Sequence, residues 1–167
     1  RVALFPPQQS VTSTYTAKIR ELTPEPRFNT ELTDHLPADP RVPSPLKVLG
    51  YVPGTVGRLS YVADVTRYFR ALDEASPRVK VFDLGTSDEG RPMIVAAIAD
   101  SATLERLEQY RGITAALADP RRLSADSAQR LIAAGKPIYY ATGSIHSPET
   151  GSPDMLMELA YRLAVAD

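Results

Sequence analysis

The sequence predicts an α/β fold, a mixed β-sheet flanked by helices, and three observations predict it. From Ser60 onward, apolar residues recur at the three- and four-residue steps of amphipathic helices. Two short β-prone runs, Val79 to Leu84 and Met93 to Ala99, flank a turn-rich loop. A third apolar run, Pro137 to Thr142, stands between two helical patterns, the alternation that layered α/β folds require.

The first 53 residues carry nine of the 15 prolines, in clusters such as Phe5-Pro6-Pro7, Pro24-Glu25-Pro26 and Pro43-Ser44-Pro45. Proline removes a backbone donor and fixes φ, so residues 1–53 are expected to form a Pro-rich extended arm, with the folded domain running over 54–167. The apolar residues Val2, Leu4, Phe5, Phe28, Leu46 and Val48 predict that the arm lies against that domain.

Behind Ser60 as N-cap, Val62, Val65, Phe69 and Leu72 mark one face of a helix ending near Ser76-Pro77. The β-prone runs are joined by Gly85-Thr86-Ser87-Asp88-Glu89-Gly90, which predicts an antiparallel hairpin. Arg91 is expected to hold that loop through hydrogen bonds to carbonyls or to a carboxylate. Leu104, Leu107, Ile113 and Leu117 mark a second helix, closed by Asp119-Pro120. Ser124 with Leu131 and Ile132 marks a third, ended by Gly135. Pro137 to Thr142 reads as a strand, with one of Tyr139 and Tyr140 in the core and the other at a helix interface. The last helix is expected to take Ser152 as N-cap, Pro153 at the first helical position and Asp154 in the first turn. Met155, Leu156, Leu159, Ala160 and Leu163 would then form its apolar face.

Composition narrows the function. Nineteen Lys and Arg against 20 Asp and Glu leave a net charge of −1, which gives no field to hold a polyanion or an anionic membrane. Nucleic acid and membrane are therefore not expected as partners. The longest apolar run, Met93 to Ala99, falls far short of the roughly 20 residues that cross a bilayer. Cysteine is absent, so imidazoles and carboxylates are the side chains left for tight metal binding.

The candidate chemistry sits in Gly143-Ser144-Ile145-His146-Ser147-Pro148-Glu149-Thr150-Gly151, between the predicted strand and the helix after it. Ligands in open α/β sheets commonly sit at such carboxyl ends of strands. An imidazole and a carboxylate three residues apart on a turn can converge on one ion and offer the nitrogen and oxygen donors that zinc accepts. Spacing alone fits equally well a hydrogen-bonded loop histidine beside a solvated Glu149.

Two longer motifs in order separate these readings. Leu84-Gly85-Thr86-Ser87-Asp88-Glu89-Gly90-Arg91-Pro92-Met93-Ile94-Val95 resembles the Gly-x-Ser-x-x-Gly-Arg hairpin that precedes the metal site in zinc carboxypeptidases of the carboxypeptidase A family. Gly143 to Glu149 resembles the Gly-x-x-His-x-x-Glu element of the same family. The helix ending Leu72-Asp73-Glu74-Ala75-Ser76-Pro77-Arg78-Val79 and the Gly135-Lys136-Pro137 lead-in match as well, so the resemblance runs from about residue 60 to the end.

The resemblance implies a zinc carboxypeptidase-like (phosphorylase/hydrolase-like) sheet, incomplete here, and an N-terminal portion of the catalytic domain. It implies Zn2+ as cofactor, His146 and Glu149 as two of its three protein ligands, and a peptide or protein substrate that loses its C-terminal residue. The family's remaining histidine, its carboxylate-binding arginine, its tyrosine lid and its catalytic glutamate come later in the chain. The catalytic residues are thus expected beyond residue 167, and no substrate-binding residue is assigned. Where family members commonly place a substrate-binding arginine, this chain has Pro148. His35, in Thr33-Asp34-His35-Leu36-Pro37, has no family counterpart. Self-association through uncovered sheet surface is expected of an incomplete sheet. The family, together with Arg where an initiator Met would stand, suggests an extracellular or periplasmic setting. The competing class is a non-catalytic, peptidase-like binding module that keeps the metal loop without hydrolysis.

Overall fold

In the computed structural model, which describes residues 10–166, helix α3 (Val62–Ala75) feeds a hairpin of β1 (Val79–Thr86) and β2 (Pro92–Ile98). The α3 N-cap is Tyr61, whose N–H is held by the Asp64 carboxylate at 3.3 Å. Ser60, expected in that role, instead shares a hydrogen bond with the Tyr51 hydroxyl at 3.0 Å. The strands run antiparallel from Val79 opposite Ile98 to Thr86 opposite Pro92, with a register shift between Asp83 and Gly85. Gly85 (φ +106°) and Gly90 (φ +75°) take backbone angles that a side chain would resist. Within the turn the Ser87 N–H reaches the Arg91 carbonyl at 2.8 Å, and Arg91 pairs with the Glu89 carboxylate, the loop-holding contact expected of it.

Val79 and Val81 point into the core, and Lys80 and Phe82 point away, the period-two pattern of a sheet covered on one face. The cover is α3, through Tyr68 and Leu72, and the last helix α7 (Gly151–Val165). The buried face of α7 is Met157, Ala160, Tyr161 and Ala164, a helical stripe rotated from the expected one. Met155 is 52% exposed and Leu163 47% exposed. Ala160 is buried as expected and Leu156 and Leu159 are half-buried, while Tyr161, not marked by hydrophobicity, enters the core with a hydroxyl that donates to the Pro37 carbonyl at 2.9 Å.

Over the described residues 10–53 the chain is not the extended arm that its prolines predict. It holds α1 (Ser13–Leu22), a 3-10 turn (Pro26–Phe28) and α2 (Pro45–Leu49). The prolines flank these helices instead of interrupting them. Pro45 opens α2 behind a Ser44 N-cap, where a missing N–H costs nothing, and Gly50 closes it at φ +82°. The stretch does lie against the rest of the chain. Tyr15, Leu36, Val42 and Val52 are buried in one core with Tyr68 and Tyr161, and Leu46 and Val48 pack on its edge. Phe28, by contrast, is 59% exposed beside Arg27. Val2, Leu4 and Phe5 lie outside the described residues.

The second predicted helix is two, α4 (Ser101–Leu104) and α5 (Leu107–Ala118). Asp100 caps α4 by accepting the Thr103 N–H at 2.8 Å, and the chain leaves helical angles at Arg106. After the 3-10 turn Pro120–Arg122, α6 (Ala125–Ala134) begins at Ser124 and ends at Gly135 as expected.

The strand expected over Pro137 to Thr142 is absent from the sheet, which among the described residues is the hairpin alone. Ile138 (71%), Tyr139 (91%) and Tyr140 (74%) are exposed, so neither tyrosine takes the core or helix-interface place expected of it. A strand exists only where its donors and acceptors meet a neighbour's, and this run pairs with neither outer edge of the hairpin. The architecture is therefore helices packed on a two-stranded antiparallel sheet, compatible with an incomplete α/β fold.

Candidate metal centre

The segment from Gly143 to Thr150 is folded back on the first turn of α7. At Gly143 a Cβ would stand 3.2 Å from the Pro153 nitrogen and 3.0 Å from the Leu156 Cδ1, so this residue lies flush against the helix. Ser144 follows in the left-handed region at φ +55°, the one non-glycine residue with positive φ among the described residues. Its N–H donates to the Ser152 Oγ at 2.8 Å, and its hydroxyl donates to the Glu149 carbonyl at 2.7 Å. The Ser152 hydroxyl reaches that same carbonyl at 3.4 Å.

Ser152 therefore does not act as the N-cap. Thr150 holds that position with no side-chain bond, Gly151 is the first helical residue, and Pro153 sits inside the first turn, where its missing N–H would have had no intrahelical partner. Asp154, also in that turn, accepts the Gly54 N–H at 3.0 Å and so ties α7 to the 50s loop. Its other oxygen is buried with no partner among the described residues.

His146 and Glu149 lie on one turn, the Glu149 N–H donating to the His146 carbonyl at 3.0 Å. Both are exposed, as are Ser147 and Pro148 between them. Among the described residues neither side chain is engaged in a hydrogen bond or an ion pair. An unengaged imidazole and an unengaged carboxylate on one short turn are the nitrogen and oxygen donors that zinc takes when thiolates are absent. Among the described residues no group of three or more His, Cys, Asp or Glu side chains is gathered to hold a metal ion.

His35 does not extend the set. Its ring Nδ1 is paired with Asp34 at 2.6 Å, and its carbonyl accepts from Arg162 in the last turn of α7. Arg162 lies roughly 16 Å along the helix from Gly151, at about 1.5 Å per residue. The two histidines thus flank opposite ends of α7, too far apart for ligand bonds of about 2.0–2.1 Å to one ion.

The family model described as zinc carboxypeptidase matches residues 65–166. The match covers more than half of the chain, and the chain belongs to that family. Neither the comparison with curated proteins nor that with solved structures returns a match. The matched span takes in most of α3, the hairpin and the whole loop from Gly143 to Thr150. Sequence reasoning missed the work of Ser144 and Ser152 in closing that loop. The signal in the sequence is two serines bracketing the His-x-x-Glu pair, masked because Ser152 before Pro153 also fits a helix cap. No helix among the described residues is long and apolar enough to cross a membrane.

Proposed function

We propose that this chain carries two of the three zinc ligands of a metallocarboxypeptidase that removes C-terminal residues from peptides or proteins. His146 would supply a ring nitrogen and Glu149 a carboxylate oxygen. The observation that carries the reading is their joint placement, solvent-open and unengaged, on one closed turn within the span that matches the family. In such a site zinc supplies activation of water near neutral pH and polarisation of the scissile carbonyl. The residues of this chain hold and orient; the third ligand and the proton-accepting carboxylate would come from residues outside this sequence, because His35 lies at the far end of α7. Pro148, standing where family members commonly carry a substrate-binding arginine, brings no charge to the neighbouring subsite and leaves substrate preference to those residues. An extracellular or periplasmic setting, and self-association through the exposed hairpin face at Phe82 and Leu84, belong to the same reading.

The test is a competitive zinc titration against a chromophoric chelator, alongside a C-terminal peptide hydrolysis assay. Two protein ligands should hold zinc only weakly, with binding lost in His146→Ala, kept in His35→Ala, and no hydrolysis by the chain alone. Submicromolar affinity that depends on His146 but not on His35 would show the ligand set complete within these residues and overturn the claim of a missing ligand.

A further inference from the structure

We infer that Ser144 and Ser152 form a latch that presets the spacing of His146 and Glu149 before any metal arrives. The inference rests on the reading of that pair as zinc ligands. Ser144 and Glu149 are the two ends of a six-residue loop, and the Ser144 hydroxyl closes it on the Glu149 carbonyl at 2.7 Å. Both candidate ligands therefore fall within one hydrogen-bonded ring. Ser152 fastens the ring to α7, since its Oγ accepts the Ser144 N–H at 2.8 Å while its own hydrogen points to the Glu149 carbonyl at 3.4 Å.

The backbone is arranged to make this closure. Ser144 occupies a left-handed conformation that a non-glycine residue adopts only at an energetic cost, so its local preference is overridden by the contacts it makes there. Gly143, pressed against Ser152 and Pro153, brings Ser144 within reach of the helix. A flexible chain that binds a metal must first order its ligands, and a loop already closed has less ordering left to do. Ser144 and Ser152 touch the backbone of the loop and not the metal, so they are positioning residues.

The experiment is a titration of the full chain with Zn2+ alone, read from the ring nitrogen resonances of His146, with His35 as internal reference. Ser144→Gly keeps the left-handed backbone but loses the hydroxyl, and Ser152→Ala loses both of its latch contacts. Each is expected to weaken zinc binding at His146 by about threefold to tenfold, the worth of one net hydrogen bond. Ser152→Thr restores the hydroxyl and is expected to bind as the unaltered chain does, a rescue that general loosening of the helix would not give. Ser144→Gly relieves backbone strain, so its thermal midpoint should not fall, which separates lost preorganisation from lost folding. Unchanged affinity in both variants, with His146 still responding to zinc, overturns the latch and leaves the metal reading standing. No response of the His146 ring in the unaltered chain overturns the metal reading itself, and the latch with it.

Discussion

Gly143 shows how little room separates the candidate site from its support. Any Cβ there would come within 3.0 to 3.2 Å of Leu156, Pro153 and Ser152, and two of those three neighbours are backbone atoms that cannot swing away. Gly143→Ala is therefore expected to destabilise the fold by about 1–2 kcal/mol, seen as a lower thermal midpoint, because the loop must lift off the helix by a few tenths of an ångström. An unchanged midpoint would show that the loop does not rest on α7. His146 and Glu149 stand out in the sequence because an imidazole and a carboxylate three residues apart form a spacing that can be written down. It did not reach the serines, since a hydroxyl bonded to a distant carbonyl leaves no periodic trace, and Ser152 beside Pro153 resembles an ordinary helix start. Arg91 was legible for the opposite reason: a guanidinium two residues from Glu89 in a tight turn has few other partners.

At the scale of elements, α7 joins the two halves of the account, because its first turn carries the loop and its body carries the core. Three buried phenols line its contacts with α1, α3 and the 30s loop. Tyr15 donates to Glu158, Tyr68 to the Pro43 carbonyl and Tyr161 to the Pro37 carbonyl. Burial, foremost, pushes all three phenol pKa values up, with Glu158 adding to the effect on Tyr15. Their contribution to stability is therefore fully present below the unfolded phenol pKa of about 10, and it is lost as pH rises above it, because the unfolded chain gives up protons that the folded chain keeps. Each phenol adds up to about 1.4 kcal/mol of destabilisation per pH unit in that range. Denaturant melts between pH 9 and pH 12 on the order of one unit apart, with phenolate absorbance followed in parallel, should show ionisation of these residues only as the fold is lost. Ionisation near the ordinary phenol value in the still-folded chain would contradict the burial described here. Helix existence was well marked by periodicity in α3 and α6. The face of α7 was not, since it is set by close approach and hydroxyl bonding instead of by hydrophobicity. The helices of residues 13–49 were hidden by prolines that turn out to stand at their ends.

For the molecule as a whole, the hairpin is covered on one face and open on the other, where Phe82 and Leu84 are exposed, and the run Ile138 to Tyr140 lies unpaired. The sequence marked that run as a strand from its apolar, tyrosine-bearing character, which describes what the segment is fit to do. Whether it does so depends on a neighbouring strand, and no such neighbour can be read from the segment itself. The family assignment was legible because two motifs in order carry more information than one. The proposed chemistry requires His146 and Glu149 to hold the same zinc ion. Anomalous diffraction at the zinc edge from zinc-soaked crystals of the chain tests it most directly. A shared ion gives a peak about 2.0–2.2 Å from a His146 ring nitrogen and from a Glu149 carboxylate oxygen. A peak beside His35, or two side chains diverging with no ion between them, would contradict it.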